Sequence, residues 1–116
     1  MFFIIIHMSY TITSLKDEDY FEMDYIQENG FVNATRLCDF YQKDLGVWKE
    51  AHYEELFNAL EAFCMDHRLT GYHTLDYKGN MFIDPALAFH LAYWIGPDVG
   101  VRFCALFFQH CPCAKK

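Results

Sequence analysis

The segment from Gly30 to Trp48 constrains the fold more than any other part of the chain. Asn29-Gly30 is a strong turn signal, because both residues tolerate positive φ angles. Phe31-Val32 then predicts a short strand. Asn33 is suited to cap a helix that runs to about Tyr41, since its side-chain oxygen can accept from the free amides of the first helical turn. A turn, a strand, a cap and a helix in this order predict a domain that mixes helices with a sheet.

Further strands are predicted on either side of this segment. Glu22 to Ile26 alternates between polar and bulky residues, which is typical of a strand. Downstream, Tyr72–Asp76 and Asn80–Asp84 flank Tyr77-Lys78-Gly79, which predicts a β-hairpin. The strands are short and follow turn signals, so we expect a small antiparallel sheet that contains this hairpin.

Three longer helices are predicted in addition to the one after Asn33. A helix over residues 48–67 would have one apolar face, made of Trp48, Tyr53, Leu56, Phe57, Leu60, Phe63 and Cys64. Asp84 and Pro85 suit the first turn of an almost wholly apolar helix to Ile95, which we expect at the centre of the core. Pro97 opens a last helix through about His110. The expected fold is α+β, with about four helices and a small antiparallel sheet.

The composition indicates one globular domain over residues 1–116 with an unfavourable charge for binding nucleic acid. Hydrophobic residues make up 53% of the chain, and the formal net charge is −7. Six acids fall in one run, namely Asp17, Glu18, Asp19, Glu22, Asp24 and Glu28. The rest of the chain has ten acids against nine bases. We therefore expect a nearly balanced body with one acidic edge, which leaves room for phosphate contacts elsewhere.

Two blocks of the sequence resemble the KilA-N domain of large DNA viruses and phages. The first is Gly30-Phe31-Val32-Asn33-Ala34-Thr35-Arg36-Leu37-Cys38, followed by Trp48. The second is Gly79-Asn80-Met81-Phe82-Ile83-Asp84-Pro85-Ala86-Leu87-Ala88, followed by Leu91-Ala92 and Trp94-Ile95. The matched core covers about residues 25–110. The resemblance implies a viral, non-catalytic DNA-binding domain related to the fungal APSES domains, with a winged-helix-like arrangement in which the β-hairpin is the wing.

The resemblance implies that a helix end and the hairpin contact duplex DNA. The candidate contacts are Arg36, Lys43, Lys49, His52, Lys78 and Asn80. Each of these is also compatible with an ordinary solvated surface position. The stretch after Trp48 departs from the basic pattern common in relatives, because Glu50, Glu54 and Glu55 would repel phosphates there. Trp48 itself is expected in the core rather than stacked on a base.

A second function is compatible with the same fold. The last helix is apolar on nearly every side, with Val101, Phe103, Cys104, Leu106, Phe107 and Phe108. Such a helix can serve as the surface for a protein partner or a homodimer. Relatives often carry a further domain after this module, so we expect any effector domain to be absent or supplied in trans.

The remaining features suggest neither a cofactor nor an enzyme. Five cysteines, an odd number without a secretory signal, favour reduced thiols in an intracellular setting, the host cytoplasm or nucleus for a viral protein. The pair Cys111 and Cys113, with Cys104, His67 or His110, is spaced too tightly for the common zinc motif. The histidines His52, His67, His73 and His90 accompany no phosphate loop or nucleophile motif.

The beginning of the sequence allows two interpretations. Met1–Ile6 is apolar and β-branched, which suits an edge or first strand, but it is too short to span a membrane. Alternatively, translation starts naturally at Met8. We expect no membrane association in either case.

Overall fold

The computed structural model describes residues 9–16, 22–67 and 73–110, apart from the side chains of residues 63–67 and 110. Five strands form one antiparallel sheet: β1 (Ile12–Lys16), β2 (Glu22–Ile26), β3 (Val32–Asn33), β4 (Thr74–Tyr77) and β5 (Asn80–Ile83). Their spatial order is β1-β2-β3-β5-β4. The α+β class, the antiparallel sheet and the hairpin formed by β4 and β5 are confirmed.

The helices follow the predicted order. They are α1 (Ala34–Phe40), α2 (Leu45–Trp48), α3 (Glu54–His67), α4 (Pro85–Ile95) and α5 (Pro97–His110). A π-helical turn, Lys49–Tyr53, joins α2 to α3, so that residues 45–67 form one helical unit and the described residues hold four such units. No helix in these described ranges is both long and apolar enough to cross a membrane.

The helix predicted from Trp48 differs from the structure in two ways. It begins earlier, at Leu45, because Asp44 Oδ1 accepts from the amide of Gly46 at 2.8 Å. It also contains the π-helical turn, which accommodates one extra residue. As a result Trp48 and Tyr53, five residues apart, lie on the same side, with ring centroids 6.4 Å apart.

The strand β1 is absent from the sequence-based prediction. It pairs with β2 from Ile12 opposite Ile26 to Lys16 opposite Glu22. Its side chains are only exposed or half-buried, so the strand lacks the bulky alternation by which β2 was predicted. The other predicted strand near the start, Met1–Ile6, lies outside the described residues.

Predicted local signals hold at three element boundaries. Asn33 Oδ1 accepts from the amide of Arg36 at 2.9 Å, which caps α1 as expected. Asp84 Oδ1 accepts from the amide of Ala86 at 2.9 Å, with Pro85 in the first turn of α4. Gly30 has a φ angle of 79° after the predicted turn. Each of these features depends on residues that are close in sequence, so it could be predicted without knowing how the chain packs.

The sheet separates two hydrophobic clusters. On one face the helices bury a large cluster around Trp48, Leu91 and Phe103, and the central position predicted for α4 is confirmed. On the other face Ile26, Phe31 and Phe82 form a smaller cluster, against which Tyr10, Leu75 and Tyr77 pack. In the part of the chain that the structure describes, the helices therefore pack on the face of the sheet that carries the large cluster.

Candidate nucleic-acid interface

One end of the sheet gathers three parts of the chain that are distant in sequence. Since all strand pairs are antiparallel, the end of β1, the start of β2, the start of α1 and the turn between β4 and β5 meet there. This end carries three of the six predicted DNA contacts, Arg36, Lys78 and Asn80. We call it the turn end of the sheet.

The hairpin closes with a tight turn in which Lys78 adopts an unfavourable backbone conformation. Lys78 has a φ angle of 51° and Gly79 one of 81°, the pattern of a type I′ turn. Such a turn favours Asn or Gly at both central positions, because a side chain larger than these is disfavoured at positive φ. The Lys78 side chain is exposed, with its ammonium 5.3 Å from the centre of the Tyr77 ring. The turn therefore presents a cation at its outermost point.

Asn80 closes the same turn. It pairs with Tyr77 across the hairpin and its Nδ2 donates to the Lys78 carbonyl at 3.4 Å. It is half-buried, so its amide is available in part for a further contact. Lys78 and Asn80 thus share one rigid turn.

A side chain that sequence reasoning missed joins this hairpin to α1. The amide of Met81 donates to Thr35 Oγ1 at 2.8 Å, across 46 positions of sequence. Thr35 belongs to Asn33-Ala34-Thr35, which reads on its own as a glycosylation signal. In the fold Asn33 is buried and caps the helix, so both polar side chains of that motif serve internal contacts.

Arg36 has protein partners at the turn end. Its guanidinium forms ion pairs with Glu22 and, at 2.7 Å, with Asp24. The hydrogen bond from Arg36 to Asp24 raises the pKa of the guanidinium, and the charge of Asp24 adds to the effect. Ser14 Oγ donates to the other oxygen of Asp24 at 2.5 Å. A direct DNA contact by Arg36 stays a prediction, and its observed contacts attach α1 to β2.

The same ion pairs change the character of the acidic edge. Asp24 is only 6% exposed and is held by Arg36 and Ser14, while Glu22 also lies 3.6 Å from Lys16 Nζ. Glu28 accepts from the amide of Thr11 at 2.9 Å, which lowers the pKa of its carboxyl. Three of the six acids in the run are thus engaged within the sheet. The other three, Asp17 to Asp19, lie outside the described residues.

The remaining three candidates lie away from the hairpin. Lys43 follows α1 and is exposed, and its amide donates to the Cys38 carbonyl at 2.9 Å. Lys49 and His52 belong to the π-helical turn, Lys49 exposed and His52 half-buried. A shallow groove beside Lys49 and His52 is lined by Glu50, Ala51, Glu54, Glu55 and Asn58. The acids noted in the sequence therefore lie beside Lys49 and His52.

Trp48 occupies the core position that we predicted for it, and it contacts His90 of α4. Trp48 is fully buried, and its Nε1 donates to His90 Nδ1 at 3.1 Å, so it belongs to the core and not to a stacking surface. His90 is a hydrogen-bonded histidine. Partial burial lowers its pKa below 6.5, and the neighbouring His52, whose ring centre lies 5.0 Å away, lowers it further. Glu55 acts weakly in the opposite direction.

One further polar constellation lies near the start of β4. His73 is buried, with Nε2 3.6 Å from Glu61 and Nδ1 3.7 Å from Asp84. These distances exceed those of good hydrogen bonds. In the ranges that the structure describes, no three His, Cys, Asp or Glu side chains are grouped as metal ligands. The tail cysteines Cys111 and Cys113, and the side chains of His67 and His110, lie outside these ranges.

The last helix leaves an apolar strip on its outer side. Phe103, Leu106 and Phe107 are buried in the core, as their spacing requires. Val101 is 59% exposed and Phe108 54% exposed, and Ala105 lies between them, also exposed. We call Val101, Ala105 and Phe108 the outer strip of α5.

Comparison with known proteins places the two sequence blocks in one family. The model of the KilA-N domain matches residues 16–109. A protein of Acanthamoeba polyphaga mimivirus, whose name describes a KilA-N domain, is 31% identical over 98 residues, covering 72% of this chain and 27% of that protein. The uncharacterized protein FPV236 of fowlpox virus (strain NVSL) is 30% identical over 95 residues, covering 78% of this chain and 34% of that protein.

The chain thus spans about a quarter to a third of the length of these two viral relatives. No solved structure matches it significantly.

Proposed function

Because the chain belongs to the KilA-N domain family, we propose that it binds duplex DNA through the turn end of the sheet, without catalysis. Lys78 and Asn80 are the direct contacts in this proposal. The observation that carries it is the backbone of Lys78. A long cationic side chain occupies, at positive φ, a turn position that Asn or Gly would fill more favourably. Local strain of this kind supports a functional use of the side chain.

The charge distribution is compatible with this use. Association with duplex DNA depends on cations that meet phosphates, and the net charge of the whole molecule matters less than the charge within a Debye length, about 10 Å at 0.1 M salt. At the turn end, Arg36 and Lys16 are paired with Glu22 and Asp24, which brings that network close to neutrality. Among the residues that the structure describes at this end, Lys78 is a further cation, on the hairpin turn.

The six candidates take different parts in this proposal. Lys78 contacts a phosphate, and Asn80, with one donor and one acceptor, is suited to a sugar, a phosphate or a base edge. Arg36 acts indirectly by fixing α1 against β2. Lys49 and His52 form a second, weaker group, because the glutamates of the groove beside the π-helical turn reduce the potential there. Lys43, after α1, is a further exposed cation.

The experiment that tests this function is a salt titration of DNA affinity by fluorescence anisotropy, with a labelled random duplex. The decisive variant is Lys78→Asn, since Asn suits the type I′ turn and removes the cation. We expect it to raise the free energy of unfolding by about 0.5 kcal/mol and to weaken DNA binding. The slope of log affinity against log salt concentration should become shallower by about 1, which corresponds to one lost phosphate contact.

A matched control is Gln42→Asn. Gln42 also has a positive φ angle, 55°, but lies outside the hairpin. This variant relieves the same kind of backbone strain without a change in charge, so it should leave DNA affinity and salt slope as in the wild type. Equal affinity of the wild type and Lys78→Asn would exclude the turn as the contact surface. Absence of binding at low salt would exclude the function itself.

A second candidate function is self-association through the outer strip of α5. Its support is the exposure of Val101 and Phe108 on one side of a helix whose opposite side is already buried. A second copy would bury the same strip on both partners around a twofold axis. Light scattering at increasing protein concentration tests this function, with Val101→Glu as the disrupting variant. A monomer at every concentration would reject it.

A further inference from the structure

We propose that Thr35 is a positioning residue for DNA binding, because its hydroxyl fixes the hairpin turn against α1. This inference rests on the proposed function, and it extends that function to a residue that carries no charge. The contact concerned is the hydrogen bond from the Met81 amide to Thr35 Oγ1, 2.8 Å.

The pairing of the strands explains why the hairpin needs this bond. β3 contains two residues only, and its last, Asn33, lies opposite Phe82 of β5. The next residue of β5 toward the turn, Met81, therefore has no strand residue opposite it on the β3 side. Thr35, two positions after the end of β3, supplies the missing acceptor. The sheet ladder is thus continued by one side-chain oxygen.

The position of this bond determines what it controls. Met81 stands three residues from Lys78, and the outermost hairpin pair is Tyr77 with Asn80. Beyond Phe82 the hairpin extends past the last pairing with β3, and of the hydrogen bonds described between the hairpin and α1, the Thr35 bond lies nearest to the turn. Loss of the bond would free the outer part of the hairpin while the inner pairs, Val32 with Ile83 and Asn33 with Phe82, remain.

The helix side of the contact is rigid as well. Thr35 lies in the first turn of α1, between the cap Asn33 and Arg36, which is paired with β2. The Thr35 hydroxyl therefore holds the hairpin turn at a fixed distance from the start of α1. Because the two candidate contacts Lys78 and Asn80 belong to that turn, we expect their distance from α1 to depend on Thr35.

The test is a double-mutant cycle on DNA affinity with Thr35→Val and Lys78→Asn. Valine preserves the shape of threonine and removes the acceptor, and Thr35→Ser, which retains the hydroxyl, is the matched control. At 0.1 M salt we expect Thr35→Val to weaken binding by about five- to tenfold, the effect of about one lost phosphate contact. In the Lys78→Asn background the same change should have a clearly smaller effect on affinity, because only the Asn80 contact remains to be displaced.

Three outcomes would overturn this inference. One is wild-type affinity for Thr35→Val, and another is a Thr35→Val effect that multiplies fully with that of Lys78→Asn. The third is a failure of Thr35→Ser to retain affinity. A purely structural role would lower the melting temperature of Thr35→Val and leave the affinity of the folded protein unchanged, so thermal melts are recorded on every variant. Absence of DNA binding by the wild type would instead reject the proposed function, and this inference with it.

Discussion

The indole Nε1–H of Trp48 donates to Nδ1 of His90 at 3.1 Å, which joins the end of α2 to the middle of α4. Because Nδ1 accepts this bond, neutral His90 must carry its proton on Nε2. Protonation of Nδ1 would remove the acceptor and leave a buried indole N–H without this partner. The hydrogen bond from Trp48 therefore requires the neutral form of His90.

We expect the stability of the protein to fall as the pH drops below about 6.5. Burial, then His52, lowers the folded-state pKa of His90 below its ordinary value of 6.5, so the unfolded chain binds the proton more readily. The stabilising contribution is complete above 6.5 and is lost as the pH falls toward the folded-state pKa. Urea midpoints between pH 7.5 and 5.5 measure this loss. In His90→Gln, which retains an acceptor but does not titrate, the pH dependence should be flatter; parallel curves would contradict the assignment.

The ion pairs of Arg36 should contribute to stability. Arg36→Ala leaves the buried carboxylate of Asp24 with Ser14 as its remaining described partner, and we expect a loss of roughly 1–3 kcal/mol, less than for a fully buried pair because Arg36 is exposed. Adding Asp24→Asn should recover part of this loss, since it removes the uncompensated charge. Lys43→Ala serves as the control and should change stability by less than about 0.5 kcal/mol. Urea unfolding of the wild type and these three variants shows whether Arg36 stabilises the fold; equal stability of Arg36→Ala and Lys43→Ala would contradict this prediction.

The contact between α4 and α5 depends on a glycine. A Cβ atom at Gly100 would collide with the ring of Tyr93. Gly→Ala normally stabilises a helix interior by up to about 1 kcal/mol, but here we expect Gly100→Ala to destabilise by about 1–3 kcal/mol. In a Tyr93→Ala background the collision is absent, so the same substitution should become stabilising. Thermal melts with and without Gly100→Ala, in the wild type and in Tyr93→Ala, give the sign of the stability change in each background. A stabilising effect with Tyr93 present would refute the close contact.

The thiol of Cys38 should be unreactive in the folded protein. Burial raises its pKa from 9.0 to about 11, and the charges of Asp39 and Asp44 act in the same direction. At pH 8 the thiolate fraction is then about a hundredfold lower than for an ordinary thiol. Alkylation by iodoacetamide, followed by peptide mass spectrometry, should show slow labelling of Cys38 in buffer and fast labelling in urea. Half-buried Cys104 is the internal comparison, and equal rates at Cys38 in both conditions would contradict this prediction.

Features that depend on neighbouring residues could be predicted from the sequence. The caps Asn33 and Asp84, the hairpin around Lys78 and the central α4 all follow from local signals. The strand β1 escaped prediction because its side chains are barely buried and it depends on pairing with β2. The π-helical turn also escaped, since apolar spacing over residues 48–64 fits an ordinary helix almost as well.

The sequence indicated which polar side chains lie on the hairpin turn, but not the contacts that join the turn and α1 to other parts of the sheet. The sequence identified Lys78 and Asn80 on the hairpin turn. It did not indicate that Arg36 is paired with two carboxylates of β2, nor that Thr35 supports β5, because both contacts join segments that only the sheet order brings together. Whether each cation meets DNA stays a prediction for the salt titrations.

The π-helical turn at Lys49–Tyr53 fixes the number of residues between two parts of the core. Removing one residue there would convert the turn to regular α-helix and rotate α3 by about 100° relative to α2. Leu56 and Leu60, which pack against the core, would then turn away from it. Substitutions in this turn leave the orientation of α3 unchanged. A single-residue deletion would keep the core packed only if the apolar positions of α3 moved by one residue as well. Sequence length between Trp48 and Leu56 is thus itself a structural constraint, and alignments of related chains should place their gaps elsewhere.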